Sequence, residues 1–436
     1  MNVTTAAATG SRSFHGWRIV AATAVAQALG IALLGGYQFL VTPIAAEFGA
    51  TSTQMGLGMT IVILGTGLIS PILGRPLDRG ATRSLMLVGV ATMLGSTLLL
   101  SRASALWQLA AAAGLFGVGT AMYGPLPVNV LLVNWFAERR GTALALAATG
   151  MSVTSLCLPP LAAWLIDSFG WRHAVAAIGL AAASIAAPTL ARWVIARPED
   201  IGQLPDGRPP ERSPVPAAAA GDAASTTAHP AVADLPLAQL VRDRNFWLIS
   251  FGFGLAFSVS VALGVYLVPH LENTGIERQS AALALMTLGV SGAVGKLAVG
   301  ALADRVNRKA LVLVLLAIYA CAWLLIANWP SLEAAVVASV AIGIGGYGLT
   351  PLMPVFLGAC FGRDRIGQVS GFVTPMGLPF LIAMAPAVGY VRDQTGSFAL
   401  GFNGLAGVLV AAAALLALVR IPAREPGSPP AAEESS

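Results

Sequence analysis

Apolar runs of membrane-spanning length recur twelve times along this chain, and no other property narrows its fold as much. Read between charged or Pro/Gly-rich breaks, they lie near 17–42, 54–75, 84–101, 106–133, 141–167, 172–195, 246–270, 280–302, 309–327, 333–360, 366–391 and 397–420. A helix needs about 20 apolar residues to cross a hydrocarbon layer of ~30 Å. Inside that layer the backbone must satisfy its own hydrogen bonds, so the runs predict helices and an all-α membrane protein. Internal glycines and prolines do not weaken this reading, because small residues let membrane helices approach closely and neighbouring helices tolerate proline. The composition agrees: 10% of the 436 residues are charged and 56% hydrophobic, against about 25% charged in soluble domains. The first run, from Ile19 to Val41, exceeds the roughly 7–15 residues of a signal-peptide core and is expected to stay as the first span.

Basic residues orient the spans. With the N-terminus inside, the even-numbered connections and both termini hold 20 Lys and Arg, while the odd-numbered connections hold four, Arg102, Arg172, Arg278 and Arg392. Positive charge stays on the cytoplasmic side, so both termini are expected in the cytoplasm, with a bacterial inner membrane as the location. The net charge of +5 resides in these loops. No basic domain surface is present to grip phosphates, and no nucleic-acid partner is expected. Cys157, Cys321 and Cys360 lie inside apolar runs without CxxC spacing, which predicts neither a disulfide nor a zinc site. With no P-loop, no HExxH and no paired intramembrane acids, neither catalysis nor a cofactor is expected.

Between Arg197 and Arg244 the character changes to prolines, an Ala/Ser/Thr tract and charges of both signs. That composition predicts a flexible cytoplasmic linker. The expected organisation is a six-helix bundle over 1–196, the linker over 197–244, a second six-helix bundle over 245–424 and a disordered tail over 425–436. The bundles repeat at an offset of 226 residues. Pro43 meets Pro269, Gly49 meets Gly275, Asp78 and Arg79 meet Asp304 and Arg305, Gly117 and Gly119 meet Gly343 and Gly345, and Asp167 and Gly170 meet Asp393 and Gly396. Two six-helix halves related in parallel are the arrangement of transporters that rock about a central site.

The segment Gly74–Arg83 (GRPLDRGATR) and its copy Gly300–Lys309 (GALADRVNRK) resemble the short loops between helices 2 and 3, and 8 and 9, of the major facilitator superfamily. Phe136-Ala137-Glu138-Arg139-Arg140-Gly141 running to Gly150, then Pro159-Pro160 and Gly170-Trp171-Arg172, resemble its monocarboxylate porter and oxalate/formate antiporter branch. His15-Gly16-Trp17 resembles the start of that branch without its acidic residue. The resemblance implies two pseudo-symmetric six-helix bundles and secondary transport of a small organic anion by alternating access. A monomer is expected. An Asp-Arg pair at a helix end, followed by further basic residues, can bridge neighbouring helices and hold the cytoplasmic face shut. Asp78, Arg79, Arg83, Arg139, Arg140, Asp304, Arg305 and Arg308 are the gating candidates, with a solvated loop that merely obeys the charge rule as the alternative.

Of the 45 formally charged side chains, only Lys296 falls in mid-span. It precedes Asp304 by eight residues, about 12 Å of helix, which is close to the middle of the layer. A lysine there costs on the order of 2.5–3.5 kcal/mol. Gly292 and Gly300 flank it one turn away on either side, so it is expected to face a central cavity and to act as an anion hook. The alternative is snorkelling to the interface or pairing with a carbonyl. The resemblance implies the same role, since helix 8 of the branch carries a basic residue that binds the substrate carboxylate. Dianion transporters of the branch add a basic residue on helix 11, and here that run has none before Arg392, which favours a monocarboxylate. Tyr37, Tyr123, Tyr266 and Tyr347 fall on helices 1, 4, 7 and 10, which line the cavity in the superfamily, and Gln38 and Asn129 add polar groups. Plain packing is the alternative for each. Moving one negative charge inward against 100 mV costs about 2.3 kcal/mol. A proton entering with the anion would remove that cost, and Lys296 and His270 are the candidate carriers. Carboxylate exchange, export of lipophilic compounds and ligand sensing without transport stay open as alternatives.

Overall fold

The computed structural model describes residues 14–136, 139–207, 240–303, 305–361 and 366–420, and every regular element among them is helical. The helices are α1 (Gly16–Phe48), α2 (Ser52–Asp78), α3 (Thr82–Ser101), α4 (Leu106–Tyr123), α5 (Pro125–Trp135), α6 (Arg140–Trp193), α7 (Arg244–Asn273), α8 (Arg278–Leu302), α9 (Arg308–Asn328), α10 (Leu332–Ile342), α11 (Leu352–Phe361), α12 (Ile366–Thr395) and α13 (Ala399–Ala417). Short polar residues start several of them: Asn307 accepts from the amides of Lys309 and Ala310, and Ser331 from that of Ala334.

Among the described residues, ten helices are long and apolar enough to cross a membrane. One covers most of α6 and joins the fifth and sixth runs through Gly170, whose φ of 78° turns the chain between them. The fifth and sixth runs lie on either side of that turn, and the eleventh coincides with α12. Leucines on the outward faces stay uncovered, Leu68 at 74% and Leu297 at 77% exposure. Such faces are at home against acyl chains and not in water.

Two of the runs are interrupted. The fourth breaks at Gly124, which is extended, and restarts with Pro125 in the first turn of α5, where a missing N–H leaves nothing unpaired. The tenth changes its winding in a π-turn over Gly343–Tyr347 before α11. Bilayer helices tolerate glycine and proline, so composition alone does not mark these breaks.

By contacts the chain forms two units. One takes the described residues of Met1–Gly36 and Ile61–Gly221, and the other those of Tyr37–Thr60 and Asp222–Ser436. In the first, Ile19, Met93, Leu131, Trp135, Phe136 and Tyr123 belong to one buried cluster. The Trp135 indole donates to the Ile195 carbonyl at 2.8 Å, and the His15 amide donates to the Gln203 side chain at 3.0 Å. These bonds tie the start of α1 and the end of α5 to the residues after α6, where Pro198–Ile201 and Pro205–Gly207 form 3-10 turns. In the second unit α7 packs on α12 and α13. There the Phe402 ring lies 4.7 Å from both His270 and Trp323.

The 226-residue repeat is a repeat of packing. A Cβ on Gly117 would run into the Val62 carbonyl, and one on Gly119 would lie 3.0 Å from the Gly89 carbonyl oxygen. One repeat later, a Cβ on Gly343 would lie 2.9 Å from the Leu288 oxygen and one on Gly345 2.8 Å from the Leu315 oxygen. The carbonyls they meet are themselves 226 residues apart. Left-handed glycines pair the same way, Gly49 with Gly275 and Gly170 with Gly396.

Candidate anion site

Three parallel stripes divide the middle of α8. Leu288, Gly292, Gly295 and Val299 form a buried stripe, and Val290, Val294 and Leu297 an exposed apolar one. Between them runs a stripe of small residues, Gly289, Ala293 and Gly300, with Lys296 among them and its side chain exposed. Lys296 therefore stands off the apolar face. Arg278 pairs with Glu272 and Arg392 with Asp393, and among the described residues Lys296 is in no ion pair. Its neighbour is aromatic: the ammonium lies 5.3 Å from the centroid of the Tyr347 ring.

The other residues read from the sequence fall in several places. The Tyr37 hydroxyl donates to the Met55 carbonyl at 2.5 Å, and the Tyr266 hydroxyl to the Ser52 carbonyl at 2.7 Å. Both are spent on the start of α2. Gln38 is buried on α1, one residue beyond Tyr37. His270 is buried, its Nε2 3.2 Å from the Ile326 carbonyl, an arrangement that ties α7 to α9 within an aromatic cluster. In the first unit, Tyr123 is fully buried in the core and Asn129 is exposed on α5. The structure thus brings Lys296 and Tyr347 together, and groups Tyr37 with Tyr266 around the first turn of α2. Of the gating candidates, Arg79, Arg83, Arg139 and Arg305 are exposed and Arg308 is half-buried. Asp304 and the side chains of Asp78 and Arg140 lie outside the described residues.

Two features were not singled out from sequence. The π-turn carries the Tyr347 ring, and its only signal is the run Gly343-Ile344-Gly345-Gly346-Tyr347. The Asp393 carboxylate, at the end of α12, accepts hydrogen bonds from the Ser52 amide (2.9 Å), the Thr53 amide (2.8 Å) and the Thr53 hydroxyl (2.6 Å). It serves as a cap supplied from elsewhere in the sequence for the N-terminus of α2.

Repeated helical packing and exposed apolar stripes on helices of membrane-spanning length are the features of an integral membrane protein. The chain matches the model of the Major Facilitator Superfamily over residues 20–386 and again over 249–436, and it belongs to that family of transporters. It is an integral, multi-pass membrane protein. Among curated proteins it is 26% identical to monocarboxylate transporter 13 of Bos taurus, over 92% of this chain and 88% of that one. It is 27% identical to the Rattus norvegicus protein of the same name, at the same coverage. Among solved structures, a bacterial homolog of the human lysosomal transporter Spinster, inward-facing and unoccupied, matches with a TM-score of 0.68 at 16% identity. The match covers 94% of this chain and 96% of that one, and a likeness at that identity speaks to the fold alone.

Proposed function

We propose that the protein carries small monocarboxylates across the membrane by alternating access, with the Lys296 ammonium binding the substrate carboxylate. The observation that carries this reading is the setting of Lys296: six residues inside the end of α8, exposed on its small-residue stripe, and in no ion pair among the described residues. A cation left alone inside a span is destabilising by up to about 2.5–3.5 kcal/mol, the cost at the helix centre. A bound carboxylate offsets that cost through a charge-assisted hydrogen bond. Two further facts favour one carboxylate over two. Residues 366–391, most of α12, hold no second Lys or Arg, and two relatives matched over 88% of their length are named monocarboxylate transporters.

A thermal-shift screen of the purified protein tests the reading, with formate, acetate, lactate, pyruvate and oxalate offered to the unaltered chain and to Lys296→Ala. Stabilisation by lactate or pyruvate that disappears in Lys296→Ala is the expected result. Equal stabilisation of both proteins, or stabilisation by neutral lipophiles alone, would reject it.

A further inference from the structure

We propose that the Tyr347 ring is the resting partner of the Lys296 ammonium, presented to it by the π-turn Gly343–Tyr347, so that Tyr347 is the residue that positions the anion-binding amine. The proposal rests on the reading of Lys296 as the carboxylate site and adds what holds its amine when no carboxylate does.

The approach of ring to amine is built by glycines on both sides. The ring occupies the place a Cβ on Gly292 would take. A Cβ on Gly295 would stand 2.9 Å from the Ile344 Cα, and one on Gly343 2.7 Å from the Gly292 nitrogen, so α8 and the π-turn meet backbone to backbone. Behind the turn, a Cβ on Gly346 would lie 3.1 Å from the Tyr319 ring of α9. The π-turn is therefore wedged between α8 and α9. It is one residue wider than an α-helical turn, and such turns redirect the side chains that follow them. At 5.3 Å from the centroid, the ammonium is within the ~6 Å over which an aromatic face attracts a cation.

The other half of the molecule is an internal control. Its packing glycines, Gly117 and Gly119, contact the equivalent carbonyls, yet α4 stays α-helical through this stretch. One repeat back, Lys296 becomes Ser70, Gly292 becomes Thr66 and Tyr347 becomes Ala121. The Thr66 hydroxyl donates to the Gly117 carbonyl at 3.0 Å, closing the slot that Gly292 leaves open for a ring. The halves share their packing and part at the winding, the aromatic and the cation together.

The chemistry suits a carrier. An acid beside Lys296 would occupy it permanently, whereas an aromatic face is a weaker partner than a carboxylate. The ammonium has three N–H donors, and the ring covers one side of it, leaving donors for one carboxylate.

The chain has two lysines, Lys296 and Lys309, and the second donates to the Val419 carbonyl at 3.1 Å. Reductive methylation with labelled carbon therefore gives two lysine signals in a magnetic-resonance spectrum, with Lys309 as the folded-state reference. The expected result is a Lys296 signal displaced upfield by the ring, retained in Tyr347→Phe and lost in Tyr347→Leu. Because the ring stabilises the empty site, its removal should tighten pyruvate binding by roughly 2- to 30-fold in Tyr347→Leu, while Tyr347→Phe stays within about twofold. Replacing Tyr347 with a trifluorinated phenylalanine, which keeps the shape and drains the ring face, should tighten binding to an intermediate degree. An undisplaced Lys296 signal in the unaltered chain, a displacement that survives Tyr347→Leu, or pyruvate affinity indifferent to fluorination overturns the proposal. If no carboxylate moves the Lys296 signal while its Tyr347-dependent displacement persists, the carboxylate reading fails and the ring contact stands.

Discussion

Asp393 sits at the wrong end of its own helix. A carboxylate in the last turn of α12 meets the negative end of that helix dipole, and its three bonds to Ser52 and Thr53 set it against the positive end of α2 instead. The first amides of a helix have no partner within it, so Asp393 is what protects those two. Hydrogen bonds to a charged group contribute about 1.5–3 kcal/mol each, while deleting a whole cap costs about 0.5–2 kcal/mol. Because the three bonds share one carboxylate, Asp393→Ala should cost about 2–4 kcal/mol locally. At ~1.4 kcal/mol per decade, the Ser52 and Thr53 amides should then exchange roughly 30- to 700-fold faster with deuterium. Asp393→Asn should lose most of the same protection, since its amide nitrogen cannot accept. Thr53→Val removes only the hydroxyl bond and should cost about 1 kcal/mol, a rate change of about fivefold. Mass spectrometry of the peptide spanning 52–54, with a peptide from α9 as reference, reads all three. Unchanged exchange in Asp393→Ala would mean that this carboxylate does not cap α2.

Gly150→Ala places a Cβ against the Ala24 carbonyl and 2.7 Å from its carbon, so α1 and α6 must part. An overpacking loss of about 1–3 kcal/mol should appear as a lower melting temperature in detergent. Trp135→Phe strands the Ile195 carbonyl, which the indole reaches at 2.8 Å. A loss of about 1–3 kcal/mol is expected, read as faster exchange in the residues just after α6.

The spans were legible because a bilayer leaves the backbone no choice but helix, and apolar length is written in the sequence. The repeat was legible for a related reason. Gly117, Gly119, Gly343 and Gly345 each fill a backbone-to-backbone contact where no side chain fits. The break at Gly124 and the π-turn were not legible, since their glycines and prolines resemble those of unbroken spans. What sets the π-turn is its fit between α8 and α9, and that is a tertiary fact. Lys296 stood out by the cost of its charge. In sequence the four span tyrosines are alike, and only the positions of their hydroxyls and rings separate them. Tyr37 and Tyr266 bond to the carbonyls of α2, Tyr123 is buried in a core, and Tyr347 alone lies beside the cation. Asp393 capping α2 joins residues 340 apart, and nothing local in either segment announces the other.

The choice of lysine at 296 fits the proposed cycle. Of 25 basic side chains only two are lysines, so arginine is this chain's ordinary cation and position 296 departs from it. A guanidinium would offer a planar fork that holds a carboxylate by two parallel bonds. An ammonium is a compact point charge that holds it by fewer directed contacts and leaves a side free for a ring. Each ~1.4 kcal/mol of extra affinity slows release about tenfold if entry is unchanged, and a carrier must let go on the far side in every cycle. Lysine with an aromatic resting partner lowers the barrier at both steps: the carboxylate leaves a single ammonium, and the vacated ammonium is not stranded in a low-dielectric layer when it does.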